Sequence, residues 1–319
     1  MRESIALALI CLAAALGAAL LSAGGEQEAG DAAGGSLDDG IRFTALSDGS
    51  ALETDMAGWL PGVVAGEMPA SFEPEALRAQ AIAARTYILS RAASGSAAHP
   101  DAAVCDDPAC CKAHLTDAEL RANWGENYAA NMAKIRAAVE DTDGLCLVYE
   151  GEPIEAVFHS SSAGMTEDSG ALWGERPYLV SVMSPETAQD VPGYVTSVLV
   201  PEDEFAGKIL SERPEASLEG GSAFWLGGIK NDASGRVESA EIGGAEFTGQ
   251  ELRELFGLRS TAFTLDRTDE GFLFTVTGYG HGVGMSQYGA NVMAGDGAGY
   301  EEILAHYYPG TELAAWTSI

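Results

Sequence analysis

Residues 62–89 read GVVAGEMPASFEPEALRAQAIAARTYIL, and this stretch restricts the fold more than any other. A short apolar run at 63–65 ends at a single carboxylate, Glu67. Met68 and Pro69 follow, and a proline neither continues a helix nor donates to a strand ladder. A helix is predicted to start near Pro74, because Leu77, Ala81, Ala84 and Ile88 repeat at helical spacing on one apolar face. Pro74 suits a first helical position, and Glu73 and Glu75 suit the positive N-terminal end. The pattern therefore sets Glu67 at a tight corner between an apolar segment and a core helix.

A core is available to bury that helix. Of 319 residues, 46% are hydrophobic, enough for one large domain or two small ones and too many for a disordered chain. The net charge of −31 repels nucleic acid and anionic lipid headgroups and argues against either as a partner. With 39 glycines supplying turns, the expected class is α+β, with mixed sheets and packed helices.

Residues 5–23 carry no charge. At ~1.5 Å per residue they reach ~28 Å, the thickness of a bilayer core. Residues 1–24 thus read as a membrane anchor or a signal segment, and either puts the body of the protein outside the cytoplasm. Residues 25–48, rich in Gly, Ala and acids, read as a flexible linker. Residues 49–319 form the body, with a β-rich subdomain at 193–277. Strands are expected within 41–51 and at 145–149, 154–158, 179–183, 195–200, 227–230, 237–242, 263–266 and 272–277. Helices are expected at 116–139, opened by a Thr116–Glu119 capping box, and at 249–256 and 300–308.

Several clusters could carry chemistry. Cys105, Cys110 and Cys111 lie close together between His99 and His114, a set that fits tetrahedral nitrogen–sulfur ligation as well as a disulfide with one spare thiol. His159 leads into three serines, but no Gly-x-Ser-x-Gly elbow accompanies them. His281 sits among glycines, and with His159 and Glu167 it could form a metal-dependent amidase site. Glu67 follows an apolar run whose desolvation would raise a carboxyl pKa, as a general acid requires; its structural alternative is a bridge to Arg85. Trp173, Tyr178, Tyr279 and Tyr288, near glycine-rich loops, could face sugar rings or pack in the core.

Four segments in order, GVVAGEMPASFEPEALRAQAIAARTY, HSSSAGMTE with Trp173 and PYLVSV, GYGHGVGMSQYGA, and YEEILAHYYPGTEL, resemble the SpoIID/LytB family over about residues 56–313. The resemblance implies a peptidoglycan lytic transglycosylase acting on glycan strands stripped of their stem peptides. It also implies a single-pass membrane protein with an extracytoplasmic catalytic domain, working with an amidase partner in forespore engulfment. The family's catalytic acid is the Glu of Glu-Met-Pro, here Glu67. Its metal pattern, His-x5-Cys-x4-His-Cys, falls on His99, Cys105, Cys110 and Cys111, with a cysteine replacing the second histidine and His114 as a substitute ligand. This favours a structural zinc over a disulfide; no organic cofactor is implied. Gln80, Arg85, His159, Ser161, Tyr178, His281, Ser286 and Gln287 are the candidates for lining the glycan groove. Two alternatives accompany this reading: a non-catalytic glycan-binding enhancer of an amidase, and the zinc-dependent amidase.

Overall fold

In the computed structural model, residues 36–95, 97–108 and 110–316 are described. The helix Pro74–Ser94 is its axis, with Pro74 in the first turn. Nearly every side chain from Ala76 to Leu89 is buried, so the expected apolar face is in fact a helix enclosed on all sides. Around it pack the helices Met56–Glu67, Tyr128–Glu140, Gln287–Gly295 and Tyr300–Tyr307 and the strand Leu145–Tyr149. Each of the larger aliphatic side chains along it, such as Leu77 and Ile82, contributes about 1.5–3 kcal/mol by leaving water.

Glu67 does end its segment at a corner, but the segment is a twelve-residue helix, Met56–Glu67, capped by the Asp55 side chain and containing Pro61. An almost wholly apolar helix shows no 3.6-residue alternation, so only its end is marked in the sequence. The strand after the turn at 150–151 is also shorter than expected. Leu145–Tyr149 pairs with Glu152–Pro153 and with Glu312–Ala315, whereas Phe158–His159 pairs in parallel with Met285–Ser286. That two-strand bridge brings the His159 segment beside the glycine-rich loop. Residues 179–183 contribute an isolated bridge, Met165 to Met183, in place of a strand.

Residues 195–277 build a second hydrophobic core of their own. Val195–Val200, Gly271–Thr277 and Phe263–Thr268 form one antiparallel sheet, and Leu226–Asn231, Val237–Ile242 and Ala245–Thr248 another. Phe205, from the helix Glu202–Glu212, stacks on Phe272 within this core. The capping boxes Thr116–Glu119 and Thr248–Glu251 open the helices Asp117–Trp124 and Gly249–Phe256.

The segment expected to anchor the chain, residues 1–24, lies outside the described residues. Among the described residues no helix is long and apolar enough to cross a membrane. The expected linker, 25–48, is structured from Leu37 onward: Leu37–Gly40 is a helical turn, and Arg42–Ser47 is a strand, in line with the short strand expected within 41–51. The reason is Asp38, whose carboxylate meets the Arg85 guanidinium with two hydrogen bonds of 2.7 and 2.8 Å. Arg85 has no exposed surface, and it also donates to the carbonyls of Val139 and Leu145. It neither lines a groove nor bridges to Glu67; it joins the N-terminal turn to the core, because a buried guanidinium needs every donor satisfied.

Candidate active site

Glu67, at the C-terminal end of its helix, opens into a cleft of about 800 Å³. The carboxyl is half-buried, and its Oε1 accepts a 2.8 Å hydrogen bond from the backbone N–H of Ala113. Sharing the cleft walls are His159 from the second motif and His281 and Gln287 from the third, with Trp173 and Tyr279, 50% and 47% exposed, among the lining aromatics. Trp173 meets the His281 ring edge to face at 4.9 Å.

Both histidines are committed to their loops. His281 Nε2 donates to the Phe158 carbonyl at 3.0 Å, while its Nδ1 accepts from the Val283 N–H at 3.1 Å. Burial lowers its pKa to about 3, so the imidazole is neutral. His159 Nδ1 donates to the Val283 carbonyl, and its Nε2 accepts from Ser162 Oγ at 2.8 Å. Burial holds its pKa well below the usual histidine range. Ser162 is completely buried and so is no accessible nucleophile. Glu167 faces away, accepting from Ser234 Oγ at 2.9 Å with Arg236 Nε 3.8 Å away. With each ring nitrogen already paired, His159, Glu167 and His281 do not converge as metal ligands, which removes the basis for a zinc amidase site.

Other predicted site residues stand behind the cleft wall. Gln80 is buried and accepts from Gln287 Nε2 at 3.4 Å, while its own Nε2 has no partner. Ser286 is buried, donating to Glu186 and capping the helix Gln287–Gly295. Ser161 is buried with an unpartnered hydroxyl. Tyr178 packs on Tyr149 and accepts from the Glu155 N–H at 3.4 Å.

Two glycines are explained by close approach. Gly282 has φ +89°, and a Cβ there would lie 2.4 Å from Cζ of the buried Arg236. A Cβ on Gly62 would lie 2.4 Å from His114 Nε2.

The cleft also holds residues that no motif announced. Glu155 lines it as a second carboxylate, and Arg91, Lys112 and Arg253 line it as cations. The Lys112 ammonium lies 3.8 Å from the centre of the Phe158 ring and 4.8 Å from that of Tyr87. Its half-buried setting depresses its pKa through desolvation, against the pull of Glu67 and Glu155. Lys112 could have been suspected from its place directly after Cys110-Cys111; Glu155 and Arg253 carry no local signal.

Beside the cleft, one ligand atom each from His99, Cys105, Cys110 and Cys111 all fall within 4.8 Å of one another. A tetrahedral zinc with ~2.3 Å bonds to sulfur sets sulfur atoms ~3.8 Å apart, so the set fits. His99 Nδ1 donates to the Ala102 carbonyl at 2.9 Å, which leaves Nε2 aimed inward, 3.0 Å from Cys111 Sγ. Burial pushes the Cys111 thiol up to about 12, and a bound cation would reverse that by stabilising thiolates. All the described cysteines are free thiols. His114 is no substitute ligand: it stacks on Trp59 with ring centres 3.7 Å apart.

A family model described as Stage II sporulation protein (SpoIID) matches residues 50–149. Stage II sporulation protein D of Bacillus subtilis is 41% identical over 256 residues, 79% of this chain and 72% of that protein. Its counterpart in Bacillus amyloliquefaciens matches to the same extent. A protein named amidase enhancer, also from Bacillus subtilis, is 28% identical over 81% of this chain and 40% of its own length. The chain belongs to the stage II sporulation protein D family.

Proposed function

We propose that this sporulation-family protein is a lytic transglycosylase that cleaves peptide-stripped glycan after N-acetylmuramic acid, with Glu67 as its one acid–base group. The observation that carries the reading is the setting of Glu67: a carboxyl fixed by the Ala113 N–H, opening into a cleft lined by the exposed rings of Trp173 and Tyr279. Exposed aromatic rings beside a cleft acid suit stacking against sugars, which offer an apolar face and a polar edge.

In this mechanism Glu67 protonates the glycosidic oxygen following muramic acid. As a carboxylate it then accepts the proton of the 6-hydroxyl, which attacks C1 and closes the 1,6-anhydro ring. The substrate supplies its own nucleophile, so no second carboxylate has to act as one. Glu155, countered by Arg176 at 3.7 Å, then serves the cleft's charge balance. His281, neutral and doubly bonded, positions the loop under the sugar. A zinc ion on His99, Cys105, Cys110 and Cys111 would be structural, fixing the loop that carries Lys112 and Ala113.

We further place the protein outside the cytoplasm, tethered by its N-terminal segment and acting with an amidase during forespore engulfment. The relative named amidase enhancer supports a second reading, glycan binding that assists an amidase without cleavage. Digestion of stripped glycan by the purified protein alone separates the two. Anhydro ends that vanish with Glu67→Ala support the enzyme; unchanged ends in that variant, or none from the unsubstituted protein, defeat it.

A further inference from the structure

We propose that Arg91 and Lys112 form a subsite for a sugar-borne carboxylate, the free lactyl carboxylate that muramic acid exposes once its peptide is gone. The inference rests on the glycan reading above and adds what selects the stripped strand.

The chain carries 48 acidic residues against 17 basic ones, so a cation without an acid beside it is unexpected. Nine of the sixteen described basic side chains do have one, Arg85 with Asp38, Arg176 with Glu155 and Lys230 with Glu238 among them. Yet Arg91, Lys112 and Arg253, which line one cleft, are in no ion pair within 4.0 Å among the described residues. Glu67 and Glu155 attract Lys112 from beyond that distance. Arg91 Nε is buried without a hydrogen-bond partner.

The cations are also preorganised. Lys112 is seated on the faces of Phe158 and Tyr87, and the Arg91 guanidinium lies 5.6 Å from the centre of the same Tyr87 ring. Aromatic faces hold a cation in place without neutralising it. Lys112 adjoins Ala113, whose N–H holds Glu67, so an anion at Lys112 sits close to the acid. The lactyl group stands on the same muramic acid ring whose glycosidic bond Glu67 would protonate. While the peptide is attached, that carboxyl is an amide, uncharged and unable to pair with an ammonium or a guanidinium. Charge alone then favours the stripped strand.

The test measures binding to the full chain carrying Glu67→Gln, which halts turnover. The ligands are stripped glycan strands and the same strands with their lactyl carboxyls converted to methylamides. The expected result is about tenfold tighter binding of the carboxylate strand, the scale of one or two charge-assisted contacts in a half-open cleft. That preference should shrink with salt, disappear in Lys112→Gln and survive in Lys112→Arg. If Lys112→Gln loses its melting transition, Arg91→Gln carries the same comparison. Equal binding of the two strands, or a preference that persists in Lys112→Gln, overturns the subsite. Absence of anhydro ends with unsubstituted Glu67 defeats the catalytic reading while leaving this comparison intact. A protein that binds neither strand defeats both.

Discussion

The backbone N–H of Ala113 holds Oε1 of Glu67 at 2.8 Å, and Ala113 is only two residues beyond Cys111. The proposed acid is therefore aimed by the same loop that gathers the thiols. Removing metal with a strong chelator, or substituting Cys105→Ser, should lower the turnover of stripped glycan roughly tenfold to a hundredfold, as a misplaced catalytic group does. The effect should fall on kcat more than on KM, and metal analysis should find one zinc per chain. Full turnover after complete metal removal would break the link.

Glu67→Gln keeps the shape of the side chain and removes its ability to carry a proton between the two oxygens. Anhydro products should fall by roughly 10²–10⁴, the usual contribution of a general acid–base. Calorimetry should still detect glycan binding. A parallel loss of binding would mean that Glu67 holds the strand instead.

Arg85→Met leaves Asp38 charged and buried without its partner, because Asp38 and Arg85 are both about 1% exposed or less. Breaking such a pair costs about 3–5 kcal/mol. Urea unfolding should show that loss, while the folded fraction keeps its affinity for glycan. Weakened affinity with unchanged stability would return Arg85 to the groove.

Glu167 provides a pH signature. Burial and the hydrogen-bonded neighbour Asp232 raise its carboxyl from 4.5 to about 7 in the folded protein. Between those values the folded state retains a proton that the unfolded state has lost. Stability from this group is thus greatest below 4.5 and declines as pH rises toward 7, by at most about 1.4 kcal/mol per pH unit. Glu167→Gln should flatten the pH dependence of the melting temperature in that window; an unchanged slope would refute the assignment.

His281, with its pKa lowered to about 3 by burial, should stay neutral throughout the physiological range. Its ring proton resonances should not move between pH 5 and 8, whereas an unperturbed imidazole titrates near 6.5. A midpoint near neutrality would reopen the possibility that it exchanges protons with substrate.

What the sequence disclosed follows from the range of each interaction. Pro74 at the start of the central helix, the Thr116–Glu119 capping box and the strands at 195–200 and 237–242 are specified by neighbours within a few residues, so they could be read directly. The helix at 202–212 was missed despite three acids in its first turn, and the helix at 56–67 because an all-apolar stretch has no phase. The cluster of His99, Cys105, Cys110 and Cys111 was legible because three of its members crowd into seven positions. Arg85 misled because nothing near it in sequence reveals Asp38, 47 residues earlier. Lys112, Glu155 and Arg253 meet in one cleft only through tertiary packing, and no local pattern can report that.

The seat of the Arg236 guanidinium against Gly282 has a consequence for descent. An arginine at 236 facing any side chain at 282 would collide, and a glycine at 282 without that arginine would face a hollow the size of the lost guanidinium. Neither position can drift alone without penalty. Across diverging copies of this fold the two should be inherited as a pair, so that the glycine-rich loop carries the imprint of a buried arginine from the 195–277 region.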